Sequence, residues 1–229
     1  MTDIECSTRL AREFAATSAS LLGHSSLEHT VQAVADLAPD AVPGAESAAV
    51  CVVRGGVVQT PAVSDDGLLD RDAILAAVHE EPCVRVASDG RTVLVEDLAQ
   101  ESGVRSMIVC ALRLGSGVRG VLVLLSRKPG AFEAAETEVA EIYAAHASAA
   151  LAAARSADSL REAVRTRQVI GEATGILMER HRIDDGRAFE LLVRASQNLN
   201  VKLKAVAERV VHTGQEPHAL RGPDLPPRR

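Results

Sequence analysis

Apolar residues recur along the chain at two spacings, and the switches between them mark its elements. Leu10, Phe14, Thr17 with Ser18, and Leu21 fall on one face at helical spacing and predict a first helix. Ser25-Ser26-Leu27-Glu28 reads as a capping box, with Ser25 and Glu28 three apart. Leu27, Val31, Val34 and Ala38 form the apolar face of the helix it opens, and Pro39 and Pro43 end it. Strand-like runs follow. Ser47 to Val53 and Val57 to Thr60 are apolar and β-rich, with Arg54-Gly55-Gly56 as a hairpin turn between them. Leu69 to Val78 is a helix, and Thr92 to Val95 is a short strand after the turn Asp89-Gly90. Val104 to Leu114 and Val118 to Leu125 are two longer strands joined at Gly115-Ser116-Gly117. Tight hairpins give an antiparallel sheet, and the helices at both ends of this region can cover it.

From Phe132 the spacing becomes helical and stays so for a long stretch. Ile142, Ala145, Ala149, Ala152, Ser156, Ala163 and Ile170 lie near a seven-residue repeat, a small coiled-coil-like seam. Such a helix pairs two chains or packs on the back of the sheet, and different parts of it can do each. Its end carries Ile170, Ala173, Ile176 and Leu177 on one face, with Gly171 and Gly175 one turn apart, a pattern that allows close approach of another backbone. A second helix starts near the N-cap Asp184, with Ala188, Leu191, Leu192 and Ala195 inward. A third starts near the N-cap Asn200, with Leu203, Val206, Ala207 and Val210 inward, and stops at Gly214 and Pro217. Short helices of this size bury one core only by packing together. The expected architecture is therefore α+β, comprising an antiparallel sheet domain over 8–154, a connecting helix over 133–165, a three-helix module over 165–214 and a disordered Pro-rich tail over 215–229.

Charge sharpens this division. Residues 1–154 carry 11 Lys+Arg against 21 Asp+Glu, whereas residues 155–229 carry 14 against 10. The basic C-terminal part is the one suited to an anionic partner. Aromatics are 2% of the chain, with no Trp, which counts against base-stacking platforms and an aromatic-lined cofactor pocket. No apolar run approaches a membrane span, and the N-terminus lacks a signal-peptide layout, so no membrane partner and a cytoplasmic location are expected.

Candidate chemistry is sparse. Cys6, Cys51, Cys83 and Cys110 form no C-x-x-C pair and are expected to be reduced, buried, small apolar residues, with a redox-sensing pair of strand cysteines as the alternative. The seven His make no metal motif, so neither a metal nor a cofactor is expected. His79, Asp97 and Glu101 are the polar candidates near a sheet edge, and no spacing links them into a catalytic set; no enzyme is expected.

Two stretches carry the functional signal. Arg167 to Arg180, RQVIGEATGILMER, and Asp184 to Val211, DDGRAFELLVRASQNLNVKLKAVAERVV, together resemble an ANTAR domain, the RNA-binding output module of bacterial antitermination regulators. Thr174 stands where that pattern usually has Lys, and Ala205 where it often has Asp. Pro82 to Glu101, PCVRVASDGRTVLVEDLAQE, and Val118 to Phe132, VRGVLVLLSRKPGAF, resemble a GAF sensor domain spanning 8–154. There, only Ser102-Gly103 separates Glu101 from Val104, where the GAF family often has a longer, aromatic-containing loop.

The resemblance implies a homodimer that binds paired stem-loops in nascent mRNA, prevents a terminator hairpin, and takes a small-molecule or protein signal at its GAF-like domain. The basic residues available for RNA are Arg165, Arg167, Arg180, Arg182, Arg194, Lys202, Lys204 and Arg209, with Asn200 at the start of the third helix. A solvated helix face is the alternative for each. Arg167 and Arg194 match family motif positions, and so do Ala173, Gly175, Met178, Ala188, Phe189, Leu192 and Ala207, which read as core. A DNA-binding or protein-binding regulator using the same helices is the competing reading.

Overall fold

The computed structural model describes residues 26–54, 57–64, 71–78, 81–98, 103–113 and 119–217. The helix expected over Leu10 to Leu21 and the turns at Gly55-Gly56 and Gly115-Ser116-Gly117 lie outside them. The chain divides into two compact units, Met1–Asp158 and Ser159–Arg229.

In the first unit, α1 (Leu27–Ala41) precedes β1 (Ser47–Arg54) and β2 (Val57–Val63). Helices α2 (Arg71–Val78) and α3 (Glu81–Asp89) follow, then β3 (Val93–Val95), β4 (Ser106–Arg113) and β5 (Arg119–Ser126). The five strands form one antiparallel sheet in the order β2-β1-β5-β4-β3. Alternate residues of the inner strands point to opposite faces. Ala48, Val50, Ile108, Cys110, Leu112, Leu122 and Leu124 meet α1 and the long helix α4 (Ala134–His181), while Ala49, Cys51, Met107, Val109, Val121, Val123 and Leu125 meet α2 and α3. With both faces covered, these strands read as unbroken apolar runs rather than as an alternation.

Local chemistry shifts some predicted boundaries. The N-cap of α1 is Ser26, whose hydroxyl accepts from the His29 N–H at 3.3 Å; Ser25 lies outside the described residues. Pro39 does not end α1. It sits in the last turn, where its missing N–H forfeits one bond, and the helix runs on to Ala41. Helix α3 has no counterpart in the expected elements, although Pro82 near its start and Cys83, Val86 and Ala87 on its buried side carry a helical signal. Gly44, at φ +85°, holds the link from α1 to β1; a Cβ there would lie 2.6 Å from the Ala131 carbonyl oxygen. The Tyr143 hydroxyl donates to the Val34 carbonyl at 2.8 Å, tying α4 to α1 through a buried bond.

The second unit holds the end of α4 with α5 (Asp185–Leu199) and α6 (Leu203–Thr213). Ala173, Leu177, Ala188, Leu192, Ala195, Val201, Ala205, Val206, Ala207 and Val210 make its core. Asp184 caps α5 by accepting from the Arg187 N–H at 2.9 Å. Asn200 is not the cap of the third helix. It closes α5 in the left-handed conformation at φ 52°, a geometry Asn tolerates, and Lys202 takes the N-cap position of α6 without a side-chain cap bond. The buried Ser196 hydroxyl donates to the Val201 carbonyl at 2.6 Å and fixes the turn between the two helices.

Candidate nucleic-acid interface

The basic side chains of the second unit fall into two groups by what they touch. Several are held by carboxylates. Arg180 donates to the Gly214 carbonyl at 2.9 Å and to Glu216 at 3.0 Å, and His181 lies 3.0 Å from the other Glu216 oxygen. Partial burial pushes the Glu216 carboxyl up, but the bonds from Arg180 and His181 outweigh it and hold the pKa below the ordinary value. Arg182 pairs with Glu179 at 3.0 Å and Arg194 with Glu190 at 3.4 Å. The Lys204 ammonium pairs with Glu162 across two helices and stands 3.7 Å from Glu208. The bond to Lys204 lowers the Glu162 pKa and raises that of Lys204.

Arg165, Arg167 and Lys202 form the other group: exposed, with no ion pair among the described residues. Arg209 is half-buried on α6. The expected set is therefore divided between ion-paired and unpaired side chains. Arg165, Lys202 and Lys204 all act on the Glu162 carboxylate. Arg180 braces the segment after α6, and this corrects the tail expected from residue 215: Glu216 is engaged and Pro217 is buried. Residues 218–229 lie outside the described residues.

Arg167 stands at the lip of an open groove of about 510 Å³, lined also by Ile170, Gly171, Thr174, Gly175 and Phe189. Among the described residues, and apart from the helix's own nearby backbone, nothing lies within 4 Å of a Cβ built at Gly171 or Gly175. Phe189 is 43% exposed and is not core, and Gly175 is exposed and lines the groove. Ala173, Ala188, Leu192 and Ala207 are core, as their spacing implied, while Met178 is half-buried. The side chain the sequence reading overlooked is Glu162. It is the one carboxylate in the basic stretch 159–171, and that isolation was its signal.

In the first unit, Cys51, Cys83 and Cys110 are buried and in no disulfide, and Cys6 lies outside the described residues. Burial pushes the Cys51 thiol up to about 11 and the Cys110 thiol to about 12. Asp97 is bound by Arg105 at 2.6 and 2.9 Å, a structural pair; His79 and Glu101 lie outside the described residues. An opening of about 420 Å³ lies between β4 and α4, lined by Thr92, Cys110, Glu141, Ala144 and Ser148 among others. Among the described residues no three His, Cys, Asp or Glu side chains come together as a metal site, and no helix is long and apolar enough to cross a membrane.

The chain thus joins an antiparallel sheet covered on both faces by helices to a three-helix unit in its basic part. Residues 24–152 match the family model described as GAF domain, and residues 158–211 match that described as ANTAR domain. The chain belongs to the GAF domain family and carries an ANTAR domain. No curated protein matches it. Among solved structures it is similar to a free methionine-R-sulfoxide reductase from Neisseria meningitidis solved with its substrate, at 17% identity and TM-score 0.52, covering 65% of this chain and 91% of that one. It is also similar to the GAF domain of a phosphoenolpyruvate-protein phosphotransferase from Acinetobacter, at 16% identity and TM-score 0.51, covering 68% and 97%. A bacteriophytochrome from R. palustris superimposes with TM-score 0.60 at 11% identity, covering 85% and 47%. These likenesses show the fold alone. GAF is a sensor domain and ANTAR domains are RNA-binding antitermination modules, so the chain has the architecture of a regulator in signal transduction.

Proposed function

We infer that the ANTAR unit binds paired stem-loops in nascent transcripts and promotes transcription antitermination, under control of the GAF domain. The observation that carries this reading is the match of the ANTAR model to the whole three-helix unit, which is also the basic part of the chain. RNA bases splay out in loops, where proteins read them, and stems are held through their phosphates. Arg167 at the groove lip suits a loop, with Phe189 exposed beside it; Arg165, Lys202 and Lys204 suit a phosphate. Arg180, Arg194, Asn200 and Arg209 stand further back in the assignment, because ion pairs, a turn or partial burial already employ them. The working form is a homodimer joined along α4, whose Ile142, Leu160 and Val164 are exposed. It acts in the cytoplasm, and a small molecule or protein reaching the GAF domain sets its state.

The test is a titration of the full chain against a tandem stem-loop RNA, a loop-mutated RNA and duplex DNA at several salt concentrations. Tight binding to the intact stem-loops alone is expected. Equal affinity for duplex DNA replaces this reading with a DNA-binding regulator.

A further inference from the structure

Lys204 is the best-anchored lysine in the second unit, and its anchor is the carboxylate that sequence reading passed over. Glu162 lies 42 residues earlier, on α4, and the two side chains form an ion pair between helices. Arg165 and Lys202 add to the positive field at the same carboxylate. Glu208, one turn along α6, stands 3.7 Å from the Lys204 ammonium. Glu162, itself 57% exposed to water, is thus held by Lys204 from α6, with Arg165 one turn along its own helix and Lys202 two residues before Lys204. This is the arrangement a phosphate would meet, with a carboxylate already in its place.

Resting on the RNA-binding reading, we propose that Glu162 is the resident counter-ion of a phosphate site formed by Arg165, Lys202 and Lys204, and that RNA displaces it from Lys204. A pair this exposed holds loosely, because water screens it and two flexible side chains must be ordered to form it. A phosphate is a better partner for several cations at once than a carboxylate on one rotamer. Glu162 therefore weakens every RNA equally by competing for Lys204, and it keeps stray polyanions off the site.

The experiment is a double-mutant cycle on the full chain, with Glu162→Gln, Lys204→Ala and the pair titrated against tandem stem-loop RNA. Glu190→Gln serves as a control carboxylate on α5. Glu162→Gln is expected to tighten binding by roughly threefold to fivefold, more than Glu190→Gln does. Most of that gain should vanish in the Lys204→Ala background, because Glu162 acts through that lysine. Thermal unfolding of Glu162→Gln should stay near wild type. If Glu162→Gln binds RNA no tighter than wild type, or more weakly, the pair is a clip between helices and this inference falls while the RNA reading stands. If the wild-type chain shows no preference for stem-loops, the RNA reading itself fails and takes this inference with it.

Discussion

Lys202 and Lys204 are two positions apart and meet different surroundings. Lys202 projects from the N-cap position of α6 into solvent, whereas Lys204 lies between Glu162 and Glu208. If Lys202 contacts a phosphate, Lys202→Ala should lower the magnitude of the slope of log K against log salt by roughly 0.7–0.9 and weaken all RNAs alike. An unchanged slope removes Lys202 from the interface. In the first unit the thiols at Cys51 and Cys110, raised to about 11 and 12, stay protonated at neutral pH. Both should resist alkylation by iodoacetamide in the native state and react on unfolding in urea; rapid native labelling would revive the redox-pair alternative. Gly44→Ala carries two penalties, a left-handed backbone and a Cβ pressed on the Ala131 carbonyl. It should cost well over 1 kcal/mol in urea unfolding, and more than Gly90→Ala, which carries the positive-φ penalty alone because the space around it is open.

At the scale of elements, α4 does two jobs along 48 residues. Ala140, Tyr143, Ala144, Ala147, Ala150 and Leu151 bury one face against the first unit. Ala145, Ala149, Ser156 and Ala163 of the seven-residue repeat stay exposed, together with Ile142. The packed-helix reading is met by the buried face, and the paired-helix proposal uses the exposed one. Strands β1, β3, β4 and β5 were legible too as apolar runs, whereas β2, which continues through Gln59, Thr60 and Pro61 to Val63, was read only as far as Thr60. Helix α3 escaped because nine residues give only about two and a half turns of periodicity. Asn200 was misplaced because a residue that caps one helix also fits the end of the one before it. Phe189 was misjudged because a motif position says that a residue recurs, not which way it faces. The cap at Asp184 offers a check at this scale. Asp184→Ala should destabilise the second unit by about 1 kcal/mol, read as lost helicity on heating. The Glu216 clamp gives a pH check. Its folded pKa is depressed, so its contribution is complete above the ordinary value of 4.5 and is lost as pH falls below it. Glu216→Gln should flatten that acid limb.

For the whole molecule, the expected state is a dimer, and light scattering on the full chain and on a form ending near Leu151 tests it. Leu160→Glu with Val164→Glu places charges on an exposed apolar stretch, and should yield monomers with weakened binding to tandem stem-loops but little change for one stem-loop. A double variant that stays dimeric moves the joint elsewhere on the chain. The scarcity of aromatics has an optical consequence. With no Trp and one Tyr, the protein's near-ultraviolet absorption and emission come essentially from the single ring of Tyr143. That ring is buried and hydrogen-bonded to α1. The molecule thus carries a native reporter at one known contact, needing no dye or label. A signal that loosens α1 from α4 will change its brightness, whereas events confined to residues 159–217 will leave it dark to them. A change in tyrosine emission lifetime when RNA is added, a quantity that absorption of the exciting light by the RNA does not alter, would therefore show that the output unit is heard by the sensor.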